Sequence, residues 1–312
     1  MSIKVTPVHP NIGAEVQGLD LRVAPAGAAF QSVEEALNRY QVLVFRNQDL
    51  SKDEFLQFAR IFGQPESFRL RGYGNVPANG KKVDDVPAVQ RLTNLNDAGV
   101  PMGPCPQMDR MSIAENWHSD SSYRAVPSYV TLLHGVETPT EGGDTHFTSQ
   151  YAAYEALPPS LQKSIEPFEV IHNWEYQRTL SPGMEPITED ERKSTPPVMH
   201  RLVQRHPATG RKHLFISASA EFIDGLPRAE GRALLDELTR ICTRPEAVYT
   251  HKWQVRDVVM WDNRATLHRA GGFDYRSPTL RRLLHRVVIA GNPAAYRDQN
   301  AADNASRVAS AR

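Results

Sequence analysis

His118 and Asp120 stand two residues apart in Trp117-His118-Ser119-Asp120-Ser121-Ser122-Tyr123, and His268 ends the distant segment Trp261-Asp262-Asn263-Arg264-Ala265-Thr266-Leu267-His268. On a β-strand, side chains two apart point to the same face, about 6–7 Å apart along the chain. An imidazole and a short carboxylate so placed can converge on one ion, with Ser119 turned away. The distant histidine would complete a two-His, one-carboxylate facial triad, which leaves coordination positions open as in non-haem Fe(II) oxygenases. A fold that uses all three must bring the middle of the chain against its last third, so we expect one catalytic unit over residues 1–296 and not two domains. Taken alone, His-x-Asp reads more simply as a chance pair on a solvated strand end. The surrounding segments reverse that balance.

The 312 residues are 40% hydrophobic and 23% charged, enough apolar content to bury a real core. Lys+Arg and Asp+Glu balance at 36 each, so no large basic field recommends nucleic acid or an anionic membrane as a partner. Cys105 and Cys242 suggest no disulfide framework. The first residues lack the apolar run of a signal peptide, and no stretch is long enough for a membrane span. A reducing cytoplasm is the expected setting, which suits a ferrous enzyme.

Gln31 to Tyr40 reads as a short helix, followed by the apolar strand Val42-Leu43-Val44-Phe45. Ser51 and Glu54 have capping-box spacing, and the helix behind them carries Phe55, Phe58, Ala59 and Phe62 on one face before Gly63 stops it. From Gln64 to Asn116 the pattern weakens around one strand, Ala88 to Leu92, as it does from Ser181 to Pro197; long loops in a compact domain are usually functional or disordered. Further strands are expected over Tyr129–Leu133, Ala247–Trp253, Val258–Trp261 and Leu280–Ile289. Helices are expected over Tyr151–Leu157 and from about Arg228 to Ile241. Residues 297–312 read as a loose tail. Many strands, few helices and no βαβ alternation predict a mainly β fold, a sandwich or jelly roll with helical insertions.

In the last strand, period-2 alternation puts Arg282 and Arg286 on one face with Leu280, Leu284 and Val288. Buried without partners they would be costly, so bound anions could compensate, matched by the planar guanidinium fork. The other register, with Leu283, Val287 and Ile289 inward, would leave both arginines in solvent, and spacing alone permits either. Glu141-Gly142-Gly143-Asp144-Thr145 taken alone is a turn entering a strand.

In order, these segments are His-x-Asp, Gly-Gly-Asp-Thr, Trp-Asp-Asn-Arg with a histidine four residues beyond, and Arg-Arg-x-x-x-Arg. The set resembles the TauD/TfdA family of Fe(II)- and 2-oxoglutarate-dependent dioxygenases from about Val5 to Gly291. The resemblance implies a double-stranded β-helix, with His118, Asp120 and His268 as iron ligands and O2 as the oxidant. By position, Arg282 and Thr145 match the residues that hold the distal carboxylate of 2-oxoglutarate. Arg286 matches a second arginine that contacts the acidic group of anionic substrates. Trp-His-Ser-Asp-Ser-Ser-Tyr, Ala229-Glu230-Gly231-Arg232 and Val259-Met260-Trp261-Asp262 look closer to the aryloxyacetate branch than to the taurine branch. The stretch from Gln64 to Asn116 matches no branch well enough to transfer residues. The reaction implied is hydroxylation of a C–H bond in a small anionic substrate, with succinate and CO2 as co-products. A carboxylate of aryloxyalkanoate type is the first expectation; a sulfonate, alkyl sulfate or N-substituted amino acid is the alternative. A homo-oligomer, dimer or tetramer, is expected. The rival readings are a metal hydrolase using the same three ligands and a non-catalytic β-sandwich binding protein.

Overall fold

A computed structural model describes residues 3–66, 86, 88–103, 105, 110–181 and 184–296. The expected tail, 297–312, lies outside the described residues, as does part of the weakly patterned stretch after Gln64. Among the described residues, no helix is long and apolar enough to cross a membrane.

Seven strands form the main sheet: Lys4–Pro7 (β1), Ala14–Gln17 (β2), Val42–Phe45 (β3), Gln90–Thr93 (β4), Val130–Glu137 (β5), Val258–Asp262 (β13) and Leu283–Ile289 (β15). Their order is β1-β2-β3-β13-β5-β15-β4. Neighbours far apart in sequence lie side by side, which brings the chain's last third against its middle. A second sheet has the order β12-β6-β14, from Val248–His251 (β12), Thr145–Ser149 (β6) and Thr266–Ala270 (β14). A third joins Glu169–His172 (β7), Val198–Arg201 (β8) and Ala220–Ile223 (β11), and Val203–Arg205 (β9) pairs with Lys212–Leu214 (β10).

The central strands are mostly apolar on both faces because both are covered, with Thr131, His134, Asp262, His285 and Arg286 among the polar exceptions. Alternate residues Leu43, Phe45, Leu132, Met260, Val287 and Ile289 pack under Val33 and Leu37 of the helix Ala28–Tyr40 and Phe55 and Phe58 of the helix Lys52–Arg60. The opposite set, Val42, Val44, Leu133, Val259, Trp261 and Leu284, packs on Phe147 of β6 and Tyr249 of β12. Each fully buried Leu, Val or Phe contributes about 1.5–3 kcal/mol by leaving water. A further core lies between the helix Arg228–Cys242 and strands β7 and β11, with Leu267 of β14 beneath it.

Most expected elements are present, with shifted ends. The first helix starts at Ala28, β4 starts two residues later and ends one residue later than expected, and β5 continues to Glu137. The helix after Ser51 ends at Arg60, and its capping box is formed as the spacing predicts. The weakly patterned stretch from Ser181 hides the short helix Glu189–Ser194, opened by a second capping box between Thr188 and Glu191.

Candidate active site

His118 and Asp120 do not sit on a regular strand, which corrects the strand argument for their convergence. His118 forms an isolated bridge with His268, each accepting the other's backbone N–H at 2.9 and 2.8 Å. Asp120 opens a turn, and Ser121 after it adopts a left-handed φ of 54°. The turn replaces strand alternation as the device that aims the carboxylate. It is anchored in three directions: Ser119 Oγ donates to the Asn263 carbonyl at 2.5 Å, Ser121 Oγ to Glu66 at 3.2 Å, and Ser122 Oγ to Ser217 at 2.9 Å.

The outcome is the convergence the triad requires. One ligand atom from each of His118, Asp120 and His268 lies within 4.8 Å of the others, the only such cluster among the described residues. Each histidine Nε2 is 3.8 Å from an Asp120 oxygen, too far for a hydrogen bond and close enough to share one ion. The His118 ring is oriented by Nδ1, which donates to the Asn116 carbonyl at 2.7 Å and leaves the Nε2 lone pair facing the cluster. His268 is held by packing, its ring centroid 4.6 Å from that of Trp261. Burial lowers the pKa of both histidines, so they are neutral and competent to bind metal at pH 7. Burial alone would raise the Asp120 carboxyl, but Arg286, the two histidines and Thr131 reverse that and hold it well below the usual range.

A second layer supports Asp120. Thr131 Oγ1 donates to Oδ2 at 2.6 Å and accepts from Asn263 Nδ2 at 2.9 Å. Asn263 Oδ1 in turn accepts from Trp261 Nε1 at 3.0 Å and from the Asp120 backbone N–H at 3.3 Å.

Arg282 and Arg286 both face inward, although Arg282 precedes β15 and a register shift lies between Leu283 and Leu284. The solvent-exposed register fails because both faces of β15 are packed, Val287 and Ile289 under the helices and Leu284 toward the second sheet. Arg282 is buried, and its Nε has no hydrogen-bond partner among the described residues. Beside it, Gly142 and Gly143 turn with φ of 69° and 72°; a side chain on Gly142 would strike the Gly272 carbonyl. Two residues on, Thr145 Oγ1 accepts from Trp253 Nε1 at 3.0 Å. The indole can only donate, so the Thr145 hydroxyl keeps its own proton for another acceptor. A buried guanidinium with an orphaned N–H and a hydroxyl with a proton to give fit a ligand carboxylate.

Arg286 is not the lone guanidinium that the strand alternation suggests. Its Nη2 donates to Asp120 Oδ1 at 2.5 Å and its Nη1 to Gln90 Oε1 at 2.9 Å. The arginine matched to a substrate acid therefore also bonds the candidate metal ligand.

Residues 4–288 match the family described as taurine catabolism dioxygenase TauD, TfdA family. The chain belongs to the TauD/TfdA family. It is 39% identical over 295 residues to the alpha-ketoglutarate-dependent 2,4-dichlorophenoxyacetate dioxygenase of Cupriavidus pinatubonensis, covering 92% of this chain and 98% of that protein. It is 31% identical over 298 residues to the (S)-phenoxypropionate/alpha-ketoglutarate-dioxygenase of Sphingobium herbicidovorans, covering 93% and 96%. The crystal structure of AAD-2 in complex with Mn(II) and N-oxalylglycine superposes with a TM-score of 0.80 at 33% identity, covering 94% of this chain and 98% of that one. This TauD/TfdA protein is therefore a 2-oxoglutarate-dependent dioxygenase, nearer the aryloxyacetate branch as its motif wording suggests.

Several residues that shape this dioxygenase site were not legible in the sequence. Asn263 lies within Trp-Asp-Asn-Arg, a segment singled out without a role for its amide. Thr131 is the single hydroxyl in the strand start Val130-Thr131-Leu132-Leu133 and carried no other signal. Gln90 and Glu66 lie in the stretch from Gln64 to Asn116, where no periodicity marks a functional side chain.

Proposed function

We propose that this protein is an Fe(II)- and 2-oxoglutarate-dependent dioxygenase, built on a double-stranded β-helix, that hydroxylates a small anionic substrate, with an aryloxyalkanoate carboxylate as first choice. The observation that carries this reading is the excess of buried positive charge around the candidate metal ligands. With both histidines neutral, Asp120 offsets one of the two arginines and leaves the other. A divalent ion and the 2-oxoglutarate dianion cancel each other, so one positive charge remains for the substrate to neutralise. Interiors of low dielectric favour such neutrality.

His118, Asp120 and His268 would hold the iron, and Arg282 with Thr145 would hold the far carboxylate of 2-oxoglutarate. When bound, iron, 2-oxoglutarate and O2 supply the oxidation: the co-substrate becomes succinate and CO2, and one oxygen atom enters a substrate C–H as hydroxyl. Arg286, bonded to the ligand Asp120, would hold the substrate acid so that the adjacent carbon lies nearest the metal. If that carbon bears an aryl ether oxygen, the hydroxylated product collapses to a phenol and a carbonyl acid. A hydrolase using the same three ligands would leave Arg282 and the Thr145 proton without a task.

The test is succinate release from 2-oxoglutarate in air with aryloxyalkanoates, sulfonates, alkyl sulfates and N-substituted amino acids, each acid beside its neutral ester where one exists. We expect release stimulated by an aryloxyalkanoate and not by its ester. Equal turnover of ester and acid, or no stimulation by any anion, would overturn the reading.

A further inference from the structure

Gln90 comes from the stretch where family likeness transfers no residue, yet its environment assigns it a task. Strand β4 pairs with β15 so that Gln90 stands directly across from Arg286. The shared face is the inward one. Leu92, two residues along β4, packs with Leu284, Trp261 and Phe147, whereas Val89 packs under the helices on the other side. Arg286 bridges the two partners, with Nη1 on Gln90 Oε1 at 2.9 Å and Nη2 on Asp120 Oδ1 at 2.5 Å.

A guanidinium has donors only, so the amide must present its oxygen to Arg286 and turn its nitrogen away. Chemistry therefore fixes the orientation that a density map would leave ambiguous. Gln90 is buried, and its Nε2 has no hydrogen-bond partner among the described residues. Folded interiors rarely leave such a donor unmet, and a functional site is one reason they do.

We propose that Gln90 is a specificity-determining residue whose Nε2 donates a hydrogen bond to the ionised acid of the substrate, which it holds together with Arg286. An ionised carboxylate is acceptor-only and has two oxygens, so the guanidinium can engage one and the amide the other. An amine-bearing substrate would face two donors with no acceptor to offer, and a site built around such hydrogen bonds rejects the analogue that cannot make them. This inference rests on the reading above that an anion binds at Arg286.

The test titrates 2,4-dichlorophenoxyacetate into protein loaded with Mn(II) and N-oxalylglycine, by calorimetry, for the wild type, Gln90→Met and Gln90→Glu. Steady-state KM and kcat are measured alongside with Fe(II) and 2-oxoglutarate. We expect Gln90→Met to weaken acid binding about 10- to 100-fold, as for a lost hydrogen bond to a charged group, with KM rising in step. The kcat should change about threefold at most, and N-oxalylglycine affinity should be retained, which also reports an intact fold. Gln90→Glu would pair its carboxylate with Arg286 and repel the acid, and should lower affinity by more than about 100-fold. Acid affinity within twofold of wild type in Gln90→Met, or a loss of N-oxalylglycine affinity instead, would overturn the assignment. If the wild type binds an alkyl sulfate but not the aryloxyacetate, the same comparison on the sulfate decides the role of Gln90. A wild type that binds no anion refutes the reading of Arg286, and the assignment of Gln90 with it.

Discussion

Thr131→Val removes one hydroxyl from the middle of a buried sheet and keeps the side chain's shape. The hydroxyl donates to Asp120 Oδ2 at 2.6 Å and accepts from Asn263 Nδ2 at 2.9 Å, at a residue with no solvent exposure. Losing a bond to a charged carboxylate costs about 1.5–3 kcal/mol, and the stranded Asn263 amide adds about 1–3 kcal/mol. The new methyl returns about 0.8 kcal/mol of burial, so a net loss of roughly 2–5 kcal/mol is expected. Metal affinity should fall about 10- to 100-fold, the usual consequence of removing a partner that orients a ligand. Urea unfolding reads the first quantity, and anaerobic competition for Fe(II) against a chelator reads the second. Thr131→Ser keeps the hydroxyl and should bind metal within about threefold of wild type, separating the hydrogen bond from packing. If Thr131→Val binds metal within twofold of wild type, Thr131 does not orient Asp120 and the supporting layer is only structural.

Arg282→Met should abolish the thermal stabilisation that 2-oxoglutarate gives the metal-loaded wild type, which is about 2.7 kcal/mol at a hundred times Kd. Because Arg282 Nε has no hydrogen-bond partner among the described residues, the same variant should be no less stable than wild type when 2-oxoglutarate is omitted; a large loss there would mean that Arg282 serves the fold. Asp262 is buried, accepts from Arg264 at 2.8 Å and from His206 at 2.9 Å, and these partners outweigh burial to hold its carboxyl far below its usual pKa. Asp262→Asn should cost about 3–5 kcal/mol in urea unfolding at pH 7, because it leaves Arg264 without its charge partner. A depressed folded pKa stabilises above the unfolded value of about 3.9 and loses that contribution as pH falls below it. The gap between wild type and Asp262→Asn should thus stay constant from pH 7 to about 4 and narrow in stronger acid.

The candidate ligand set was legible because metal chemistry restricts residue types, and because two histidines and an aspartate stand here in an order and spacing that suit a facial triad. Why they converge was not legible. The sequence offers only strand alternation for His118 and Asp120, whereas the carboxylate is aimed by a turn whose serines reach Asn263, Glu66 and Ser217. Such bonds join residues far apart in sequence and leave no periodic trace. The inward register of Arg282 and Arg286 was undecidable from alternation, since both residue sets of β15 are buried, one under helices and one toward the second sheet. Strong apolar runs such as Val42–Phe45 and the capped helix after Ser51 were read with little error, because their signals are local. The short helix Glu189–Ser194 was missed despite its capping box, since it buries no residue and so has no apolar face to detect.

His118, Asp120 and His268 would together hold one Fe(II) to which 2-oxoglutarate binds. The most direct test of this assignment is anaerobic titration of the metal-free protein with Fe(II) and then 2-oxoglutarate, followed by visible absorption. A weak charge-transfer band is expected that saturates at one equivalent of each and is absent from His268→Ala. A wild type that binds both without the band, or a His268→Ala variant that keeps the band and full activity, would contradict it.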